Sequence, residues 1–150
     1  MLLNVLKGLT MAKSPLKKAK KATWTEFSRY IRTRDCIKTT GTLDEGICIS
    51  CDKRFNFKKL QAGHLVPGRY NVILFDEEIT NAQCFACNMH LGGNGAEYYI
   101  SMVKRHNKKY VDKLLLRKFK PTIKFTVDGL NEMRKDYIRR TKIAIEEHIR

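Results

Sequence analysis

No stretch of the 150 residues comes near the roughly 18 consecutive apolar residues that a membrane-spanning helix takes, which excludes a helical membrane protein. Acidic residues are scarce: 15 Asp and Glu stand against 30 Lys and Arg, for a net charge of +15. A pI near 9.8 reads either as a generally solvated cationic surface or as the footprint of a protein that meets phosphate backbones. A secretory leader is not expected either, because Met1–Lys7 puts no positive charge ahead of its short, broken apolar run. That points to a reducing cytoplasm, where cysteines bind metal rather than form disulfides. There is no internal repeat, and no low-complexity tract beyond a basic N-terminal stretch.

The length suggests one domain with an appended helix, and 43% apolar residues allow a small core. Residues 1–22 read as a basic flexible arm. Lys13, Lys17, Lys18, Lys20 and Lys21 sit there among small residues with Pro15, either as a solvated tail or along DNA phosphates. Thr23 and Glu26 fit a capping box, so a helix is expected from Thr23. Its core stripe would be Trp24, Phe27, Tyr30 and Ile31, with Arg29, Arg32 and Arg34 facing outward. Residues 60–66 read as a strand broken at Pro67-Gly68, and residues 72–75 as its hairpin partner across a loop carrying Arg69. A short helix over 84–91 is expected to end at Gly92-Gly93-Asn94-Gly95. Helices follow over 97–105 and 108–119, the latter closed by Pro121. Thr126 caps a last amphipathic helix whose apolar face holds Leu130, Met133, Tyr137, Ile138, Thr141 and Ile145. The expected organisation is thus an arm over 1–22, a domain over 23–120 and a C-terminal helix over 121–150.

Five cysteines are present. Cys48-Ile49-Ser50-Cys51 and Cys84-Phe85-Ala86-Cys87 form two knuckles, and Cys36 is left over as a spare structural thiol. One such knuckle could be a redox pair, but two in a small basic domain suit a tetrahedral structural zinc. The gap between them, residues 52–83, is longer than a bare zinc ribbon needs, so it holds an insertion. That insertion is the hairpin with Gly63-His64. A four-thiolate site has no open position, so any chemistry lies elsewhere. Phosphodiester hydrolysis needs water deprotonated, in-line attack and charge neutralised on the leaving oxygen. A histidine suits the first task, and an amide oxygen can hold a hard cation for the last. His64 and Asn88 have these chemistries. Taken alone, a lone histidine in a strand is more often structural, and an asparagine after a cysteine can be a plain helix cap.

The segments Ala62-Gly63-His64 and Asn81-Ala82-Gln83-Cys84-Phe85-Ala86-Cys87-Asn88 resemble the HNH, or ββα-metal, nucleases. Together with Phe75-Asp76, Leu91-Gly92-Gly93-Asn94 and Tyr98, the stretch from about residue 24 to 118 resembles more closely the NinG/Rap family of lambdoid bacteriophage recombination nucleases. The knuckle layout is also similar to phage endonuclease VII, a junction-resolving enzyme. The resemblance implies an α+β fold: a zinc-stapled ββα-metal (HNH-like) core with additional α-helices. It implies a hydrolase, namely a metal-dependent, structure-selective endonuclease acting in DNA recombination on branched DNA such as Holliday junctions and D-loops. His64 would be the general base. Asn81 would brace the loop and orient His64, and Asn88 would hold the catalytic Mg²⁺ or Mn²⁺. Cys48, Cys51, Cys84 and Cys87 would bind the structural Zn²⁺.

In one place the chain departs from this pattern. Many members of the family carry an aspartate before the histidine, where Gly63 stands here. Either water completes the metal shell on Asn88, or an oxygen enters from Asp76, Glu77, Asn94 or Glu97, or the site is inactive. The last case would make the chain a non-catalytic, zinc-stabilised DNA-binding accessory protein. A sequence-specific HNH endonuclease is a third reading. His90 is expected to contact DNA or support the site. Arg69, Lys58, Lys59, Arg29 and Arg32 are the candidate DNA contacts. Cutting a junction symmetrically would suit a homodimer, with the C-terminal helix either at the interface or packed on its own domain.

Overall fold

The computed structural model describes residues 13–150, so most of the expected basic arm lies outside the described residues. The first helix, α1 (Pro15–Thr40), starts earlier than the expected Thr23. Ser14 caps it by accepting a hydrogen bond from the Lys17 N–H, and Pro15 fills the first turn, where its missing N–H costs nothing. Residues 15–22 are therefore helix rather than arm, and Ala19 is buried. Thr23 caps nothing. It lies fully buried mid-helix, its hydroxyl 2.9 Å from the Ala19 carbonyl and 2.9 Å from the Leu130 carbonyl of α5 (Val127–Ile149).

Two small antiparallel sheets follow. β1 (Glu45–Ile47) pairs with β2 (Arg54–Asn56), with Gly46 opposite Phe55. β3 (Leu60–His64) pairs with β4 (Thr80–Cys84), with Leu60 opposite Cys84, Gly63 opposite Asn81 and His64 opposite Thr80. The hairpin partner of the His64 strand is thus β4, not residues 72–75, which form the short helix α2 (Asn71–Leu74). A four-residue apolar run carries no periodicity that separates strand from helix. β4 escaped that pattern because its polar side chains are buried: Asn81 is paired to Tyr98, and Gln83 to Ser50.

After β4 comes one π-type turn, Ala86–His90, here called the knuckle turn. It ends at Gly92 and Gly93, whose φ values of +58° and +94° suit glycine. α3 (Gly95–Arg105) and α4 (Lys108–Leu115) run close to expectation, and a tight turn over Leu116–Phe119 extends α4. Tyr98, Met102, Val111 and Leu114 face inward, whereas Ile100 and Leu116 are exposed. Thr126 caps α5 by accepting from the Gly129 N–H, as expected.

One part of the core gathers Ile49, Leu65, Val66, Ile73 and Ile79 against α3 and α4. The other joins Phe27 and Ile31 of α1 to Ala62 of β3 and Tyr137 of α5, so α5 packs along α1 within its own chain. Ile138 points away from that contact and is exposed. α1 packs against both β3 and β4, and among the described residues β3 pairs with no strand other than β4, which leaves its other edge open.

Candidate functional site

Three of the knuckle cysteines lie on or directly beside a named element, and Cys51 lies in the turn between β1 and β2. Cys48 follows β1 directly, Cys84 ends β4 and Cys87 lies in the knuckle turn. The four sulfurs of Cys48, Cys51, Cys84 and Cys87 all lie within 4.8 Å of one another. Cys51 Sγ and Cys84 Sγ are 3.9 Å apart. A tetrahedron with Zn–S arms of about 2.3 Å has edges of about 3.8 Å, so the set fits a structural zinc. Donors already point at the sulfurs: Cys84 N–H at Cys48 Sγ (3.3 Å), Cys87 N–H at Cys84 Sγ (3.5 Å) and the Asn94 amide at Cys87 Sγ (3.4 Å). The expected four-cysteine site is therefore assembled. The fifth thiol, Cys36, is buried beside Leu60 and Ala82, and burial pushes its pKa up to about 11, which suits an inert structural role.

The sulfur cluster fixes the end of β4 and the knuckle turn, and so the place of Asn88. The Asn88 amide donates to Gln61 Oε1 of β3 at 2.7 Å, which leaves its own Oδ1 available. His64 closes the same strand. Its Nε2 lies 3.0 Å from the Leu74 carbonyl. A carbonyl only accepts, so Nε2 carries the proton and Nδ1 is the basic nitrogen. Trp24 stacks on the ring at 5.4 Å and 23°, and the Arg69 guanidinium lies 4.5 Å from the Trp24 ring centre. Burial lowers the His64 pKa below its ordinary 6.5; the Leu74 carbonyl opposes this and Arg69 adds to it. Burial thus favours the neutral form of His64.

Asn81 does not touch His64. It is buried opposite Gly63, and its amide donates to Tyr98 Oη at 3.0 Å. Tyr98 Oη in turn lies 2.8 Å from the Gly63 carbonyl and 3.2 Å from that of Ile79. Asn81 is thus linked to the histidine strand through Tyr98, a residue whose part in the site the sequence alone did not reveal. Arg34, expected to face outward, turns inward to Asp35 (2.7 Å) and to the Glu77 and Thr80 carbonyls (3.0 and 2.8 Å). Asp35 also accepts from the Ala82 N–H at 2.6 Å, which ties α1 to β4.

His64, Gln61 and Asn88 line one cavity of about 780 Å³ along the open edge of β3. Arg32, Lys58 and Arg69 line it too. Arg32 is half-buried, its guanidinium 4.4 Å from the Phe57 ring centre. The structure does not bring Arg29 or Lys59 into this cavity. Arg29 is exposed and 3.5 Å from Glu26, and Lys59 is exposed on the turn before β3. His90 also lies outside the lining, edge-on to Phe85 at 5.0 Å.

Among the described residues, no carboxylate lines this cavity. Both oxygens of Asp76 lie 2.7 Å from Arg117, and Glu77 binds Arg140 at 2.5 and 2.8 Å. Asn94 faces Cys87, and Glu97 lines a separate hollow beside Cys51 and Asp52. A Cβ at Gly63 would come 2.0 Å from Gln83 Oε1 and 3.0 Å from Gln83 Cβ, so no aspartate fits there while Gln83 keeps its place. The cavity's own donors are amide oxygens and a ring nitrogen, so a hard dication held there on Asn88 would keep most of its shell as water. The four sulfurs fit zinc, whereas this cavity offers a Mg²⁺ or Mn²⁺ no carboxylate.

The family model of the bacteriophage lambda NinG protein matches residues 6–147. The chain belongs to this family. NinG membership over nearly the whole length makes it a phage protein and points to a recombination-related role. No curated protein and no solved structure matches it. Among the described residues of this NinG-family chain, no helix is long and apolar enough to cross a membrane.

Proposed function

We propose that the chain is a structure-selective DNA endonuclease that hydrolyses phosphodiesters in branched recombination intermediates, such as Holliday junctions and D-loops. The observation that carries this reading is a neutral, oriented histidine in a cavity whose charged lining is entirely cationic. Arg32, Lys58 and Arg69 would draw a phosphate into the cavity. His64 Nδ1 takes a proton from water, and the hydroxide attacks phosphorus in line with the leaving 3′-oxygen, which takes a proton from solvent and departs as a 3′-hydroxyl, giving a 5′-phosphate. Trp24 and the Leu74 carbonyl hold the ring, and Asn81 with Tyr98 holds the strand beneath it. A divalent cation held on Asn88 would have its shell completed by phosphate and water.

The missing carboxylate favours a second reading: a zinc-stabilised DNA-binding accessory protein without cleavage. Cleavage of a labelled four-way junction and a matched linear duplex, by wild type and His64→Ala, with Mg²⁺ or Mn²⁺ added, separates the two. Loss of a general base costs about 10²–10⁴-fold in rate. A loss of that size with binding kept supports the nuclease. Tight junction binding without cutting by wild type replaces it with the accessory protein. Cutting of linear duplex at fixed sites would point instead to a sequence-specific HNH enzyme.

A further inference from the structure

The knuckle turn and the residues that flank it present large apolar side chains outward. Phe85, Met89 and Leu91 are 50, 59 and 60% exposed, while Cys84 and Cys87 of the same stretch point into the sulfur cluster. Phe, Met and Leu side chains are most often buried, where their packing helps hold a segment in place. Here the cysteines do that holding, so the three are free for another task. Phe85 presents its ring to solvent with His90 at its edge. Met89 lines the cavity that carries His64, Arg32, Lys58 and Arg69, so the exposed apolar side chains meet the cationic groove at that residue.

Cations that track phosphates beside exposed apolar and aromatic faces are what holds unstacked nucleic acid. A linear duplex hides its base faces, whereas a branch point exposes them. A second copy of this chain is a poor occupant, because each copy carries a net charge of +15. We propose that Phe85, Met89 and Leu91 form the surface on which unstacked bases at a branch point rest, and that this surface sets the preference for branched over linear DNA. The inference rests on the DNA-directed reading above and adds the element that selects the substrate.

The test is the affinity of wild type, Phe85→Ala/Met89→Ala and Phe85→Trp for a four-way junction and a matched duplex, without added Mg²⁺ or Mn²⁺. Zinc content and far-UV circular dichroism check that each variant is folded, and exposed positions should leave both unchanged. The double variant should bind the junction about 5- to 100-fold more weakly and the duplex about equally, the range expected for loss of base stacking. Phe85→Trp should keep the preference, and 2-aminopurine at the branch should change fluorescence with wild type but not with the double variant. Unchanged junction affinity, or an equal loss on both DNAs, overturns the inference while leaving the nuclease reading intact. A wild-type dimer that dissociates in the double variant with junction binding unaffected gives the surface to a second copy and overturns it as well. Wild type binding both DNAs alike refutes the branched-substrate reading itself, and this surface's role with it.

Discussion

Gly63→Ala adds one methyl group to β3, and local preference and tertiary packing give opposite signs for it. Glycine in a strand is entropically costly, so alanine should stabilise by about 0.5–1 kcal/mol if nothing else mattered. The added Cβ, however, would lie 2.0 Å from Gln83 Oε1. Gln83 has no room to retreat: it is fully buried, and its amide donates to Ser50 Oγ at 2.8 Å and to the Gly93 carbonyl at 2.6 Å. Displacing it sacrifices two hydrogen bonds at about 0.5–1.5 kcal/mol each. Overpacking the strand adds about 1–3 kcal/mol. The expected net loss is about 2–5 kcal/mol, or a fall in Tm of about 5–15 °C for a chain of this size. Thermal unfolding of the zinc-loaded protein measures it. Gln83→Ala costs stability by itself, but in that background Gly63→Ala should cost less than about 1 kcal/mol, a strong coupling in a double-mutant cycle. Gly63→Ala as stable as wild type, or additive with Gln83→Ala, would refute the steric account of why no carboxylate precedes His64.

Other expectations follow from the same geometry. Tyr98→Phe strips the hydroxyl from the Gly63 carbonyl and the Asn81 amide. It should cost about 1–3 kcal/mol in denaturant unfolding and lower cleavage with little change in DNA affinity; an unchanged Tm would count against the brace. Cys84→Ser should abolish binding of one zinc per chain, measured by a metal-binding dye, and lose the cooperative unfolding transition. Because burial lowers the His64 pKa, the acid limb of cleavage should have its midpoint below 6.5. The same shift makes a stability contribution that is present above pH 6.5 and lost as pH falls toward the folded-state pKa, since there the unfolded chain binds the proton more readily. His64→Gln should flatten that part of the stability–pH curve.

Several features were legible because their signal is local. The cysteine spacing announced the sulfur cluster, and the glycines after residue 91 announced the end of the knuckle turn. Thr126 announced the start of α5. Ser14-Pro15 carried an equally local start signal, outweighed in the sequence reading by the surrounding lysines. β4 was not legible, because its buried Asn81 and Gln83 look like loop residues until Tyr98 and Ser50 satisfy them. Nor could the sequence assign carboxylates to the site. Asp76 and Glu77 stand near His64 in the chain, but Arg117 and Arg140 take them from distant helices.

The sequence alone determined the elements whose chemistry is written in short spacing: two cysteine pairs, a histidine on a strand and a large excess of positive charge. Only the tertiary structure decided which strand pairs with that histidine, which nitrogen of it is basic and which cations share its cavity. It also decided that Gln83 occupies the space an aspartate at position 63 would need. The reason is physical. Burial and hydrogen-bond satisfaction depend on partners far away in the chain, and they override what each residue type would do in water.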